Sequence, residues 1–173
     1  MKILNIKSIL VLTFCILISN TMFAQVKPSA ALKAWDNMTA MVVETAKAMP
    51  EKNYTFKPTE ELRDFAEQIG HTTGANYMFA SVVKLSRPES SPVTKTKVKA
   101  NVIKELKDSF AFIKGGMTKL TQNDLNEEIE FFGSKMPRLQ AILIMTSHLQ
   151  REQGKTTIYT RLKGITPGKS GGW

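Results

Sequence analysis

Hydrophobic residues recur every three or four positions in four long stretches of the chain, which is the period of one face of an α-helix. No stretch of useful length alternates hydrophobic and polar residues in the manner of a strand. The pattern predicts four helices, over residues 27–48, 59–85, 94–120 and 137–163. A breaker-rich linker is predicted at 86–93, and an irregular crossover, whose Phe131 and Phe132 cover the core, is predicted at 121–134. Four long helices of this kind predict an all-α fold, an up-down four-helix bundle.

The second predicted helix has two apolar stripes instead of one. The first runs through Phe65 and Ile69, and the second, about 120° around the helix, runs through His71 and Met78. A helix with two buried stripes contacts two neighbours, as in a bundle. We expect this helix to begin at Thr59, with a hydroxyl cap and acidic residues in its first turn.

His148 and Glu152 lie in the middle of the apolar stripe of the fourth predicted helix. Residues four apart lie one turn apart on the same helix face, so the two side chains can converge on one point. An imidazole and a carboxylate among core-facing residues lose their hydration unless a partner compensates them. A metal ion is one such partner.

His71 and His148 are the two histidines of the chain, and each falls on an apolar stripe. If their helices pack side by side, two neutral imidazoles and the Glu152 carboxylate would suit a divalent cation such as Zn²⁺, Ni²⁺, Fe²⁺ or Mn²⁺. Three protein ligands leave positions open to water, as in catalytic rather than structural sites. Spacing alone leaves a second interpretation open, because a histidine on an apolar face is often a hydrogen-bonded core residue.

Residues 1–24 predict a cleaved signal peptide. A short basic start precedes an apolar run at residues 9–18, which is too short to span a bilayer, and cleavage is expected after Ala24. An uncleaved anchor and a lipid attached at Cys15 are the alternatives. We therefore expect an exported protein, periplasmic or secreted, with one domain over residues 25–173 and no stable membrane anchor after cleavage.

Charge and cysteine content narrow the classes of function. The formal net charge is +9, and removal of Lys2 and Lys7 with the signal peptide leaves 22 basic and 15 acidic residues. The lysines spread over several helix faces without interleaved aromatic residues, which argues against nucleic-acid binding. Binding to an anionic membrane surface is supported by the net charge alone. Cys15 leaves with the signal peptide, so the remaining domain has no disulfide, thiolate ligand or cysteine nucleophile.

Several segments of the sequence are similar to one family, most clearly residues 49–58 (MPEKNYTFKP), 68–71 (QIGH) and 159–167 (YTRLKGITP). They resemble the DinB-like superfamily, four-helix metalloenzymes that include the bacillithiol and mycothiol transferases. The resemblance implies a metal held by a histidine on the second helix and a His-x-x-x-His pair on the fourth. His71 and His148 match two of these positions, and Glu152 stands at the third in place of the usual histidine.

This departure at Glu152 leaves two interpretations open. A carboxylate can replace an imidazole as ligand, which would keep the site and change its metal preference. The resemblance then implies a divalent-metal-dependent hydrolase or transferase with a small-molecule substrate, and it allows a homodimer. Alternatively the site has decayed and Glu152 pairs with a nearby lysine, which implies a non-catalytic helical binding module.

Three more residues are candidates for roles around the histidines. Asn76 and Glu67 can orient the imidazoles, or they are a buried amide and a solvated acid. Tyr159 shares the stripe of His148, and it either orients a bound water or substrate or serves as a core tyrosine.

Overall fold

The computed structural model describes residues 26–85 and 93–167, and it confirms the predicted all-α four-helix bundle. The predicted signal peptide, the tail at 168–173 and most of the linker predicted at 86–93 lie outside the described residues. The long helices are α1 (Pro28–Ala48), α2 (Phe65–Val82), α3 (Lys99–Met117) and α5 (Arg138–Leu162). A short helix, α4 (Gln122–Asn126), and two strands, β1 (Glu128–Phe131) and β2 (Ser134–Pro137), lie between α3 and α5.

Helices α2 and α3 run in the same direction. Lys97, before α3, pairs with Asp64 at the start of α2, and Gly116 near the end of α3 faces Leu85 after the end of α2. The connection over residues 83–98 permits this, since 16 extended residues reach on the order of 50 Å. An 18-residue helix such as α2 is only about 27 Å long.

Helix α1 runs antiparallel to α3. The ring of Trp35, early in α1, packs edge-on against Phe110, late in α3, and Lys99 at the start of α3 donates a hydrogen bond to the carbonyl of Lys47 at the end of α1. Helix α5 then packs against both α1 and α2. The long helices therefore run up, down, down and up in chain order, so one step of the bundle is a parallel crossover rather than a hairpin.

Helix α2 begins at Phe65, six residues later than predicted from Thr59. Asp64 caps it, because its side chain accepts a hydrogen bond from the Glu67 amide while the Glu67 carboxylate accepts one from the Asp64 amide. This reciprocal box satisfies helix N–H groups that would otherwise lack partners. Lys97 bridges both carboxylates, so the cap also fixes the crossover to the start of the helix.

The segment predicted as an irregular crossover at 121–134 contains an antiparallel β-hairpin. Its turn places Phe132 and Gly133 at φ values of 49° and 80°, the left-handed geometry of a two-residue type I′ turn. Phe131 is buried, as expected of a residue covering the core, but Phe132 is exposed. Strands of four residues were missed because so few positions cannot establish a two-residue period.

The apolar faces of the long helices and of the hairpin form one core. Burying one large apolar side chain stabilises the fold by about 1.5–3 kcal/mol, so the large buried residues of this core hold the helices together. The largest fully buried side chains are Trp35, Tyr54, Phe65, Met49, Ile69, Leu106, Ile113, Leu125, Ile129, Ile142, Met145 and Leu149.

Gly116 sets the approach of α3 to the end of α2. A Cβ atom at Gly116 would lie 2.7 Å from the Cβ of Leu85, so close that α3 or the segment after α2 would have to shift. We expect Gly116→Ala to lower the free energy of unfolding by about 1–3 kcal/mol. Gly115→Ala is the matched control, because nothing lies within 4 Å of its Cβ, and it should raise that free energy by about 0.5–1 kcal/mol. Urea unfolding of the two variants tests the opposite signs, and equal shifts would contradict this account of Gly116.

Candidate metal centre

Helices α2 and α5 bring the two histidines and Glu152 together. His71 projects from α2 and the other two residues from α5, and their ligand atoms all lie within 4.8 Å of one another. His148 Nε2 is 3.6 Å from Glu152 Oε1, and the two imidazole ring centres are 5.7 Å apart. The structure thus brings together three residues that were predicted on two separate helix stripes, and their donor atoms could hold a metal ion.

The antiparallel packing of these two helices fixes the register of the group. Tyr159, near the end of α5, donates a hydrogen bond to the carbonyl of Arg63, just before α2 begins. One to two turns further along α2, Gln68 donates a hydrogen bond to Glu152. His71 and His148 follow in the same order, so each turn of α2 meets the corresponding turn of α5.

The Glu152 carboxylate is buried, with 1% of the residue exposed, and it is already well supplied with partners. Gln68 contacts Oε2, and the ammonium group of Lys155 lies 2.8 Å from Oε1 and 3.0 Å from Oε2. The Arg151 guanidinium is 3.3 Å from Oε1. Burial on its own would raise the pKa of this carboxyl, but the hydrogen bonds from Lys155 and Gln68 outweigh it and lower the pKa. Glu152 is therefore ionised at neutral pH.

Both imidazoles are only partly exposed, and burial lowers the pKa of each below the usual 6.5 because it disfavours the charged form. The nearby Arg63 lowers the pKa of His71 further, and Glu152 partly offsets the decrease for both histidines. The imidazoles are consequently neutral at pH 7, the form in which histidine binds metal ions. Among the described residues the nearest charged partner of His148 is Glu152 itself.

Phe79 and the hairpin form an apolar wall beside His148. The Phe79 ring centre lies 5.1 Å from that of His148, and the rings of Phe131 and Phe132 pack on Phe79 at 6.2 and 6.0 Å. An apolar wall excludes water from one side of the donor group, which strengthens electrostatic interactions within it.

Two hollows border the centre. One, of about 480 Å³, includes His71 in its wall, and the other, of about 470 Å³, includes Gln68 and Lys155, two of the residues that donate hydrogen bonds to the Glu152 carboxylate. Arg63 lines both hollows. A small molecule in either space would therefore lie against residues of the donor group or against residues that contact it.

The three residues considered for roles around the histidines have other partners. Asn76 donates a hydrogen bond to Ser109 on α3, and Glu67 belongs to the cap of α2, so neither orients an imidazole. Tyr159 is buried and holds the carbonyl of Arg63 at 2.7 Å, which is a structural role. The sequence did not reveal Gln68 as a partner of Glu152, because 84 residues separate the two.

A four-helix bundle with two histidines and a carboxylate between α2 and α5 defines a class of helical protein that could bind a divalent cation. The family model of the DinB superfamily matches residues 34–154, and the chain belongs to that superfamily. The predicted resemblance is thereby confirmed.

Two solved structures have the same fold. One is a DinB-like protein from Bacillus cereus ATCC 10987, with a TM-score of 0.72 and 17% identity over 82% of this chain and 95% of the other. The second is a DinB-like protein from Bacillus subtilis, with a TM-score of 0.66 and 19% identity over 80% and 95% of the two chains. No curated protein matches the sequence. Within residues 26–85 and 93–167, no helix is long and apolar enough to cross a membrane.

Proposed function

We propose that this protein is an exported, divalent-metal-dependent enzyme, in which His71, His148 and Glu152 hold the cation. The observation that carries the proposal is the convergence of their ligand atoms within 4.8 Å. Two neutral imidazoles and one carboxylate are a known ligand set for Zn²⁺ and also suit Ni²⁺, Fe²⁺ and Mn²⁺. When bound, such a cation would supply Lewis acidity and lower the pKa of a coordinated water.

The residues of the chain would prepare this site in specific ways. Gln68 holds one oxygen of Glu152 and so fixes the orientation of the carboxylate. Burial keeps the imidazoles of His71 and His148 neutral, and the Phe79 ring limits water on one side of His148. The hollow beside His71 would give a small substrate access to that imidazole.

Hydrolysis is the reaction type we favour. The N-terminal pattern of a basic start, an apolar run and a small residue at Ala24 supports export to the periplasm or the medium. Low-molecular-weight thiols are typically cytosolic, so a thiol-adding transferase fits an exported protein less well. A water molecule, in contrast, is available as nucleophile in every compartment.

The test is metal analysis of the purified protein after exposure to Zn²⁺, Ni²⁺ or Mn²⁺ and removal of unbound ions. We expect about one equivalent at pH 7–8, because both histidines are neutral there. Since the pKa of each histidine is lowered from 6.5, binding should hold near that pH and decline only as the pH falls further and protons compete for the imidazoles. Absence of bound metal at pH 7–8 would refute the proposal.

A second candidate function is a non-catalytic helical binding module. The observation that favours it is the pairing of Lys155 with both oxygens of Glu152, the arrangement expected where a lysine has replaced the metal. In that case His71→Ala and His148→Ala would change only the free energy of unfolding, by about 1–3 kcal/mol, with no dependence on added metal. Metal-dependent stabilisation of the wild type would exclude this alternative.

A further inference from the structure

Arg63 occupies the wall shared by the two hollows beside the metal centre. The first hollow is also lined by Ala66 and Val93, and the second by Leu62 and Ile158. Each hollow thus combines an apolar surface with the same arginine residue. Such a mixture, a mostly apolar pocket with a few polar groups placed at one end, is typical of small-molecule sites.

The backbone of Arg63 is fixed while its side chain remains exposed. The carbonyl of Arg63 accepts a 2.7 Å hydrogen bond from Tyr159, and the next residue, Asp64, caps helix α2. Within the described part of the chain, the Arg63 guanidinium forms no ion pair, whereas Lys97 pairs with Asp64 and Lys155 with Glu152. These contacts therefore hold the backbone of Arg63 beside both hollows and leave its guanidinium charge unneutralised.

Basic side chains outnumber acidic ones in the walls of the two hollows. The basic residues are Arg63, Lys95, Lys97 and Lys155, and the acidic ones are Glu61 and Glu67. Lys97 is paired with Asp64 and Glu67, and Lys155 is paired with Glu152. Among the described residues this leaves Arg63 and Lys95 as the basic side chains of the walls without an ion pair. An excess of positive charge in a cleft raises the local concentration of anionic ligands.

We propose that Arg63 anchors the oxyanion of a small organic acid whose apolar body lies in one of these hollows, against His71 or Gln68. A planar guanidinium can donate two parallel hydrogen bonds to a carboxylate or phosphate, which fixes orientation as well as supplying charge. This inference rests on the proposed function only for the chemistry that follows binding. The binding itself requires no metal.

Benzoate is a suitable probe, because it joins a carboxylate to an apolar ring, and benzamide is its neutral counterpart. We expect benzoate to shift the NMR signals of the His71 imidazole or of the Gln68 side-chain amide in metal-free protein, according to which hollow it occupies. Benzamide should bind at least tenfold more weakly. Arg63→Gln should reduce benzoate affinity at least tenfold. The affinity of Arg63→Lys should lie between those of wild type and Arg63→Gln, because lysine keeps the positive charge but lacks the two parallel N–H donors of the guanidinium. Phenyl phosphate, titrated in parallel, distinguishes a phosphate anchor from a carboxylate anchor by whichever of the two binds more tightly to wild type.

Arg161→Gln is the matched control, since Arg161 is an exposed arginine near the end of α5 that lines neither hollow. It should leave benzoate affinity unchanged. Equal affinity of benzoate for wild type and Arg63→Gln, or equal binding of benzamide and benzoate, would overturn the proposal. Circular dichroism should show Arg63→Gln to be folded, because the carbonyl and not the side chain of Arg63 bonds Tyr159.

The experiment separates this inference from the proposed function. Arg63-dependent benzoate binding by a protein that takes up no Zn²⁺, Ni²⁺ or Mn²⁺ would support the anion anchor and refute the metal enzyme. Uptake of one equivalent of metal without Arg63-dependent benzoate binding would support the metal enzyme and refute the anion anchor.

Discussion

Replacing Glu152 with glutamine should lower the affinity of the protein for Zn²⁺ by more than about a hundredfold. Outer partners of metal ligands already contribute about 10–100-fold to affinity, so a ligand itself should contribute more. The amide has the size of the carboxylate but no negative charge, so the loss reports on ligation and charge rather than on packing. Isothermal titration of wild type and variant with Zn²⁺ measures the effect directly.

The control for this substitution is Glu130→Gln, which removes one negative charge from an exposed position on β1. Zn²⁺ affinity should not change in this variant. Glu152→Gln should also lower the free energy of unfolding of the metal-free protein by about 1–3 kcal/mol, since Gln68 and Lys155 lose a charged partner. A variant that keeps wild-type Zn²⁺ affinity would show that Glu152 is not a ligand.

Replacing Lys155 with methionine should change metal affinity and stability in opposite directions. The Lys155 ammonium contacts both oxygens of Glu152, so a cation at the centre has to compete with it for the carboxylate. Removing this competitor should tighten Zn²⁺ binding by about tenfold, which corresponds to roughly 1.4 kcal/mol. The side chain of Lys155 is 44% exposed, and solvent screening keeps the expected gain at this modest size.

Without metal, Lys155→Met should be less stable than wild type, because Glu152 then keeps a buried charge with fewer partners. Zn²⁺ should therefore raise the melting temperature of this variant more than that of wild type. Lys119→Met serves as control, since Lys119 is exposed and lies after α3, outside the group around Glu152. If Lys155→Met and Lys119→Met bind Zn²⁺ equally, lysine and metal do not compete for Glu152.

The helical bundle could be predicted from the sequence because long helices repeat their apolar period many times. The helix boundaries were harder to predict. Helix α2 begins at Phe65 because Glu67 and the distant Lys97 complete the cap formed by Asp64, whereas Thr59 forms no such cap. The hairpin around the turn at Phe132 and Gly133 was not predicted, because its strands are too short to show an alternation of hydrophobic and polar residues. The parallel step between α2 and α3 follows from the length of their connection, which apolar periodicity does not encode.

The spacing of residues along each helix was enough to predict the candidate site, but the sequence did not show which residues of different helices contact each other. The i, i+4 relation of His148 and Glu152 and the apolar stripe of His71 led to the three residues that the structure brings together. That they bind metal remains a prediction. The second interpretation of Glu152, pairing with a nearby lysine, matches the contact with Lys155 three residues further along the helix. Arg63 could not be found from the sequence, because it was predicted inside a helix and instead lies in the irregular segment before α2.

Two of the three donor residues lie on α5, which follows α1, α2 and α3 in the chain and completes the bundle by packing against α1 and α2. A growing chain that has produced only the first three long helices therefore contains His71 without the rest of its donor group. A cation could be held between the three residues only after α5 docks, because metal binding is coupled to formation of the site. The ions present where folding finishes would then compete for these residues.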